Sequence, residues 1–123
     1  MKYSMLLILI VASNVCAKDV LINKNAGLHS YPNAKNMQIT TKGIDSTIRF
    51  QTNDGLAKVF QHFNAELIAG NWQRTDITTD DDEIEADYAR GWRELELDLD
   101  FGDDGYSLKV DFEDNDRPGN INH

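Results

Sequence analysis

The sequence predicts an α+β two-layer sandwich, with a mainly antiparallel sheet of four to six strands and one amphipathic helix packed on one face. Two patterns carry this. The stretch Thr52 to Trp72 is the only one with a helical period, and short runs of strict apolar/polar alternation lie on either side of it. A third observation fixes the packing: the apolar helix face needs an apolar partner, and only a sheet of those strands can supply it.

At 123 residues the chain has room for one domain. Lys2, the apolar run Met5 to Ala12 and the ending Val15-Cys16-Ala17 read as a secretory signal peptide over 1–17. Lipoprotein attachment through Cys16 is the minority alternative. Removing 1–17 takes away Lys2 and the single cysteine, so the formal charge moves from −9 to −10 and no disulfide can form. A cysteine-free exported domain fits a bacterial periplasm. Such an acidic chain repels nucleic acid and anionic lipid and favours cations or a basic protein as partner.

Residues 18–36 are poorly periodic and read as a lead-in segment, with Asp19 to Ile22 able to form a short edge strand. A single domain then spans 37–114. Met37 to Thr41 and Ser46 to Thr52 alternate around a Lys42-Gly43 turn and predict a hairpin. In the helix, Leu56, Val59, Phe60, Phe63 and Leu67 share one face, with Lys58, Gln61, His62 and Glu66 on the other. Asn53 or Asp54 is placed to cap its start, and Gly70 to end it in a left-handed conformation. Trp72 reads as a core plug.

Residues 73–80 predict a strand, the acidic run Asp80 to Glu83 loops out by self-repulsion, and Ile84, Ala86 and Tyr88 mark another strand. The strongest β signal comes last. Leu95, Leu97, Leu99 and Phe101, then Tyr106, Leu108, Val110 and Phe112, alternate with acidic and polar residues about the loop Gly102-Asp103-Asp104-Gly105. Pairing Phe101 with Tyr106 sets Asp98 opposite Lys109, Glu96 opposite Asp111 and Glu94 opposite Glu113. Residues 115–123 form a polar tail.

The order Tyr31-Pro32-x-Ala34, the strand ending Phe50-x-Thr52-x-Asp54, and Val59, Phe63, Leu67 and Trp72 resemble a group of small bacterial exported proteins and lipoproteins of uncharacterised function. The likeness spans Tyr31 to Phe112 and departs at Asn71, which separates Gly70 from Trp72. It implies the fold and export and brings no activity with it.

The candidate partner-binding face is therefore Glu94, Glu96, Asp98, Asp100, Asp111 and Glu113, with Trp92 beside it. Like charges set directly opposite each other destabilise a sheet, so cations such as Arg49, Arg74 and Arg93, or a ligand, must relieve them. Calcium takes six to eight oxygens, but Asp98-x-Asp100-x-Gly102-Asp103 and Asp114-Asn115-Asp116 do not match a compact calcium loop. No nucleophile elbow, zinc spacing or phosphate loop is present, and a solvated acidic ladder lacks the cleft that paired-carboxylate hydrolysis needs. The sequence thus predicts a non-enzymatic exported accessory or binding module with no cofactor. The alternatives are an acidic inhibitor or immunity protein against a basic enzyme or toxin, and a calcium-binding module.

Overall fold

The computed structural model describes residues 20–113. The expected signal peptide 1–17 with Cys16, the Asp114-Asn115-Asp116 run and the tail 115–123 lie outside the described residues. In chain order the elements are β1 (Leu21–Asn23), β2 (Leu28–His29), β3 (Lys35–Lys42), β4 (Asp45–Gln51), α1 (Leu56–Ala69), β5 (Gln73–Thr79), β6 (Glu83–Arg90), β7 (Arg93–Gly102) and β8 (Gly105–Glu113). The large sheet has six strands in the order β3-β4-β8-β7-β6-β5, and every neighbouring pair is antiparallel. The α+β sandwich is thus the observed architecture: α1 carries the chain from β4 to the opposite edge, and the β5 to β8 meander returns to close on β4.

The alternation in β7 and β8 sets their register. Leu95 faces Phe112, Leu97 faces Val110, Leu99 faces Leu108 and Phe101 faces Tyr106. Gly102 also pairs with Gly105, so the turn is only Asp103-Asp104, tighter than the expected four-residue loop. The buried side chains of β4, β6, β7 and β8 meet Val59, Phe60, Phe63 and Leu67 of α1. Successive strand residues point to opposite faces, so the carboxylates between these apolar positions all lie on the side away from the helix.

The helix ends differ from the sequence reading. The N-cap is Gly55, with no side-chain cap. Asp54 is engaged elsewhere: its carboxylate accepts the Tyr31 hydroxyl at 2.5 Å and lies 3.7 Å from Lys58 Nζ, and its carbonyl accepts the Tyr106 hydroxyl at 2.7 Å. At the other end Gly70 has an ordinary φ of −87°, and Asn71, at φ 73°, is the left-handed residue. Trp72 N–H donates to Leu67 O and Asn71 N–H to Ile68 O, each at 3.0 Å, the paired bonds of a Schellman end. Arg90 Nη1 donates to Gly70 O at 2.9 Å while its guanidinium lies over the Trp72 ring, adding a cation where the helix dipole is negative. Asn71→Ala is expected to lose about 1 kcal/mol through left-handed strain, and Asn71→Gly to lose nothing. Urea midpoints of the two variants check this.

The segment 18–36, expected as a lead-in, contributes Ile22, Ala26, Leu28 and Tyr31 to the core. Its hairpin of β1 and β2 packs beside α1 and against β4, on the helix side of the sheet. Side-chain bonds hold it rather than a long ladder. Buried Asn23 donates to Ile44 O at 3.0 Å and Ser46 Oγ at 2.9 Å and accepts Ala26 N–H at 3.0 Å. Glu66 accepts His29 N–H at 2.7 Å and sits 3.2 Å from His29 Nδ1. His62 is consequently not on a solvated face. Its side chain is 19% exposed, edge-on to the Tyr31 ring and 3.4 Å from His29 O.

Candidate functional site

The far face of the sheet is built by alternation on three adjacent strands. β7 presents Glu94, Glu96, Asp98 and Asp100, and β8 presents Asp111 and Glu113 beside Ser107 and Lys109. The structure brings all six expected carboxylates to this face, with Glu94 opposite Glu113, Glu96 opposite Asp111 and Asp98 opposite Lys109. Trp92 lies apart from the strand rows, in the turn after Gly91 (φ 65°), and is 38% exposed. Arg93 lies over the Trp92 and Phe112 rings.

β6 adds three more carboxylates to the face, from a strand expected in the sequence but not expected to share this surface. Across the β6 and β7 pair, Glu83 meets Asp100, Glu85 meets Asp98 and Asp87 meets Glu96. Asp76 of β5 meets Asp87 and extends the row to the sheet edge. The same alternation that marks Ile84, Ala86 and Tyr88 as core marks Glu83, Glu85 and Asp87 as far-face. The Gly91-Trp92 turn, with Arg90 paired to Arg93, makes β6 the hairpin neighbour of β7, so the signal that places them here is local.

Two of the cations expected to relieve this charge make contacts elsewhere as well. Arg74 donates to Asn64 Oδ1 at 3.2 Å on the helix side, and Arg93 covers aromatic rings. Arg49 and Lys109 do lie on the far face, Arg49 opposite Ser107 and Lys109 between Asp98 and Thr47. They stand at the β4 and β8 side, so the β6 and β7 rows remain acidic throughout. Among the described residues, no element packs over them, because α1 and the first hairpin both lie on the other side.

Like-charge neighbours and burial together raise the proton affinity of these groups. Glu83 is pushed from an ordinary 4.5 up to about 7, first by its hydrogen bond to Asp98 and then by the Asp98 charge. Glu85 is raised by the charge of Glu83, and Glu96 by burial together with Glu85 and Asp87. Asp98 is raised chiefly by burial. One side-chain oxygen each of Glu83, Glu85 and Asp98 can lie within 4.8 Å of the others, and Asp98 Oδ1 is buried with no hydrogen-bond partner. These three residues could hold a cation. Three single oxygens are half of what calcium takes, and none belongs to the loop-type run Asp98 to Asp103 apart from Asp98 itself.

A stability prediction follows from Glu83. Because its folded pKa is raised, the folded chain binds that proton more tightly than the unfolded chain does. Its contribution is full below about pH 4.5, falls as pH rises toward about 7, and is absent above. Glu83→Gln should therefore melt above the parent chain at pH 8 and converge with it at low pH, as thermal melts across that range would show.

Of two surface depressions, one touches the end of the acidic row at Asp100. It has a volume of about 410 Å³ and sits at the β7 to β8 turn among Asn36, Arg49, Asp100, Phe101, Asp104 and Ser107. The other, of about 720 Å³, runs between the end of α1 and the start of β5. Compared with protein-family models, curated proteins and solved structures, the chain finds no match in any of the three. Its class is that of an α+β sandwich with one open acidic sheet face, and no helix among the described residues is long and apolar enough to cross a membrane.

Proposed function

We propose that this chain is a non-enzymatic binding module of the bacterial envelope, exported by residues 1–17, which holds a basic protein surface against its acidic sheet face. One observation carries the reading: β6, β7 and β8 set carboxylates in direct opposition on a face that no described element covers. Direct opposition of like charges costs a sheet stability. A cationic partner turns that cost into binding free energy and raises the association rate by steering. An inhibitor or immunity protein for a basic cell-wall enzyme is the form of partner that the exported setting suggests.

The test is the affinity of a purified basic cell-wall hydrolase for the chain at about 50 mM and about 500 mM salt, where screening lengths differ several-fold. Binding should weaken strongly with salt, and Glu96→Lys at the centre of the face should reduce it tenfold or more. Equal affinity of parent and Glu96→Lys would refute the reading.

Calcium is the second reading, favoured by the Glu83, Glu85 and Asp98 oxygens. It requires the melting temperature to rise with calcium and not equally with magnesium.

A further inference from the structure

We propose that the partner engages through the β5 edge, where an extended segment alternating cationic and apolar residues adds to the sheet beside Gln73–Thr79. This rests on the acidic-face reading and specifies how the face is used. The two edges of the sheet are not alike. β3 carries Lys35 and Lys42 at its ends, has no carboxylate, and is irregular between Lys35 and Gln38, with Asn36 at φ 54°. Lysines and irregularities of this kind are what keep an edge strand from pairing.

β5 has no lysine, and all seven of its residues are exposed. It is rich in β-branched residues: Thr75, Ile77, Thr78 and Thr79. Its irregularity is confined to Arg74 to Asp76, so Asp76 to Thr79 keep regular pairing with β6, and among the described residues no strand pairs with their other edge.

The surroundings of that edge define the occupant. On the far face an added strand would meet Asp76, with Glu85 and Asp87 one strand further in. Positions pointing there call for lysine or arginine. On the helix side, beyond Arg74, whose guanidinium is held by Asn64 Oδ1, it would meet Ile77, 39% exposed, and the groove at Ile68, 48% exposed. Positions pointing there call for apolar side chains. A strand alternates its two faces residue by residue, so one period-two segment satisfies both demands while its backbone pairs with β5. A second copy pairing β5 with β5 fits poorly, because it would join two acidic faces into one.

The experiment uses two synthetic peptides of equal composition, one alternating lysine and valine and one with the lysines in a block. They are titrated into the parent chain and into Ile77→Lys, which alters an exposed edge residue. The alternating peptide should slow amide hydrogen exchange at Asp76 to Thr79 tenfold or more, and Ile77→Lys should weaken its binding about tenfold. The block peptide should bind without protecting those amides.

If the alternating peptide binds in a salt-dependent way, yet β5 stays unprotected and Ile77→Lys binds it equally, the edge inference falls and the acidic-face reading stands. If neither peptide binds at low salt, both fall. Concentration-dependent protection of β5 without peptide would assign the edge to a second copy and overturn the proposal.

Discussion

Replacing Phe63 by alanine is expected to cost the fold about 3–5 kcal/mol, the usual range for an aromatic deleted from a core. Phe63 is fully buried and joins all three parts of the helix-side layer. Its ring meets Phe50 of β4 at 6.2 Å between centroids, Tyr31 after the first hairpin at 6.3 Å, and its helix neighbour His62 at 4.8 Å. Relaxation cannot fill the cavity cheaply, because Phe50 is held in turn by stacking on Tyr106 at 5.4 Å. Domains of this size are stable by only about 5–15 kcal/mol, so about a fifth or more of the total should be lost. Urea unfolding followed by fluorescence should show a much lower midpoint with the slope little changed.

The second large effect is expected at Gly105, where the meander closes on β4. This glycine has φ 108°, and a Cβ there would stand 2.7 Å from Phe50 O and 2.9 Å from Gln51 Cγ. The Gln51 side chain can move, but the Phe50 carbonyl lies in the β4 backbone, which pairs with β8 through Tyr106. Gly105→Ala should cost about 2–4 kcal/mol, combining backbone strain with forced displacement of the neighbouring strand. Gly91→Ala is the control, since Gly91 has φ 65° with open space around it, and only the milder left-handed penalty of about 1–2 kcal/mol applies. Hydrogen exchange should quicken along β4 and β8 in the Gly105 variant and not in the Gly91 variant.

The fold was readable where one periodicity ran unbroken. The register of β7 with β8 follows from four apolar residues on each strand, and the buried stripe of α1 follows from its spacing. Elements held by single long-range contacts were not readable. Nothing near Asn23 in the chain reveals that its amide bonds Ile44 and Ser46, so the two short strands flanking it carry too little pattern to separate them from a lead-in. The same holds for Asp54, a good cap in isolation that is drawn away by Tyr31 and Tyr106. Tyr31 is itself pushed up to about 12, chiefly by burial and then by that hydrogen bond. At the helix end, Gly70 and Asn71 both tolerate left-handed backbone, and the bonds from Asn71 and Trp72 decide between them.

The candidate site is built more locally than those contacts, from two consecutive tight hairpins. The carboxylates of β7 and β8 belong to one hairpin, so local alternation and a tight turn place them together. Those of β6 belong to the adjoining hairpin, closed at Gly91-Trp92 where Arg90 pairs with Arg93, and they add Glu83, Glu85 and Asp87 to the six. Glu83 draws its raised proton affinity from Asp98, fifteen positions away in sequence but in the next strand of the sheet.

Whether a partner binds the uncovered acidic face is open to a single titration. Mapping backbone amide shifts of the isotopically labelled chain during titration with a basic cell-wall hydrolase tests it most directly. Binding there should concentrate the shifts on Glu83 to Asp87, Glu94 to Asp100 and Asp111 of the far face, and they should vanish at high salt. Shifts confined to the solvent side of α1 or to the first hairpin, or shifts indifferent to salt, would contradict it.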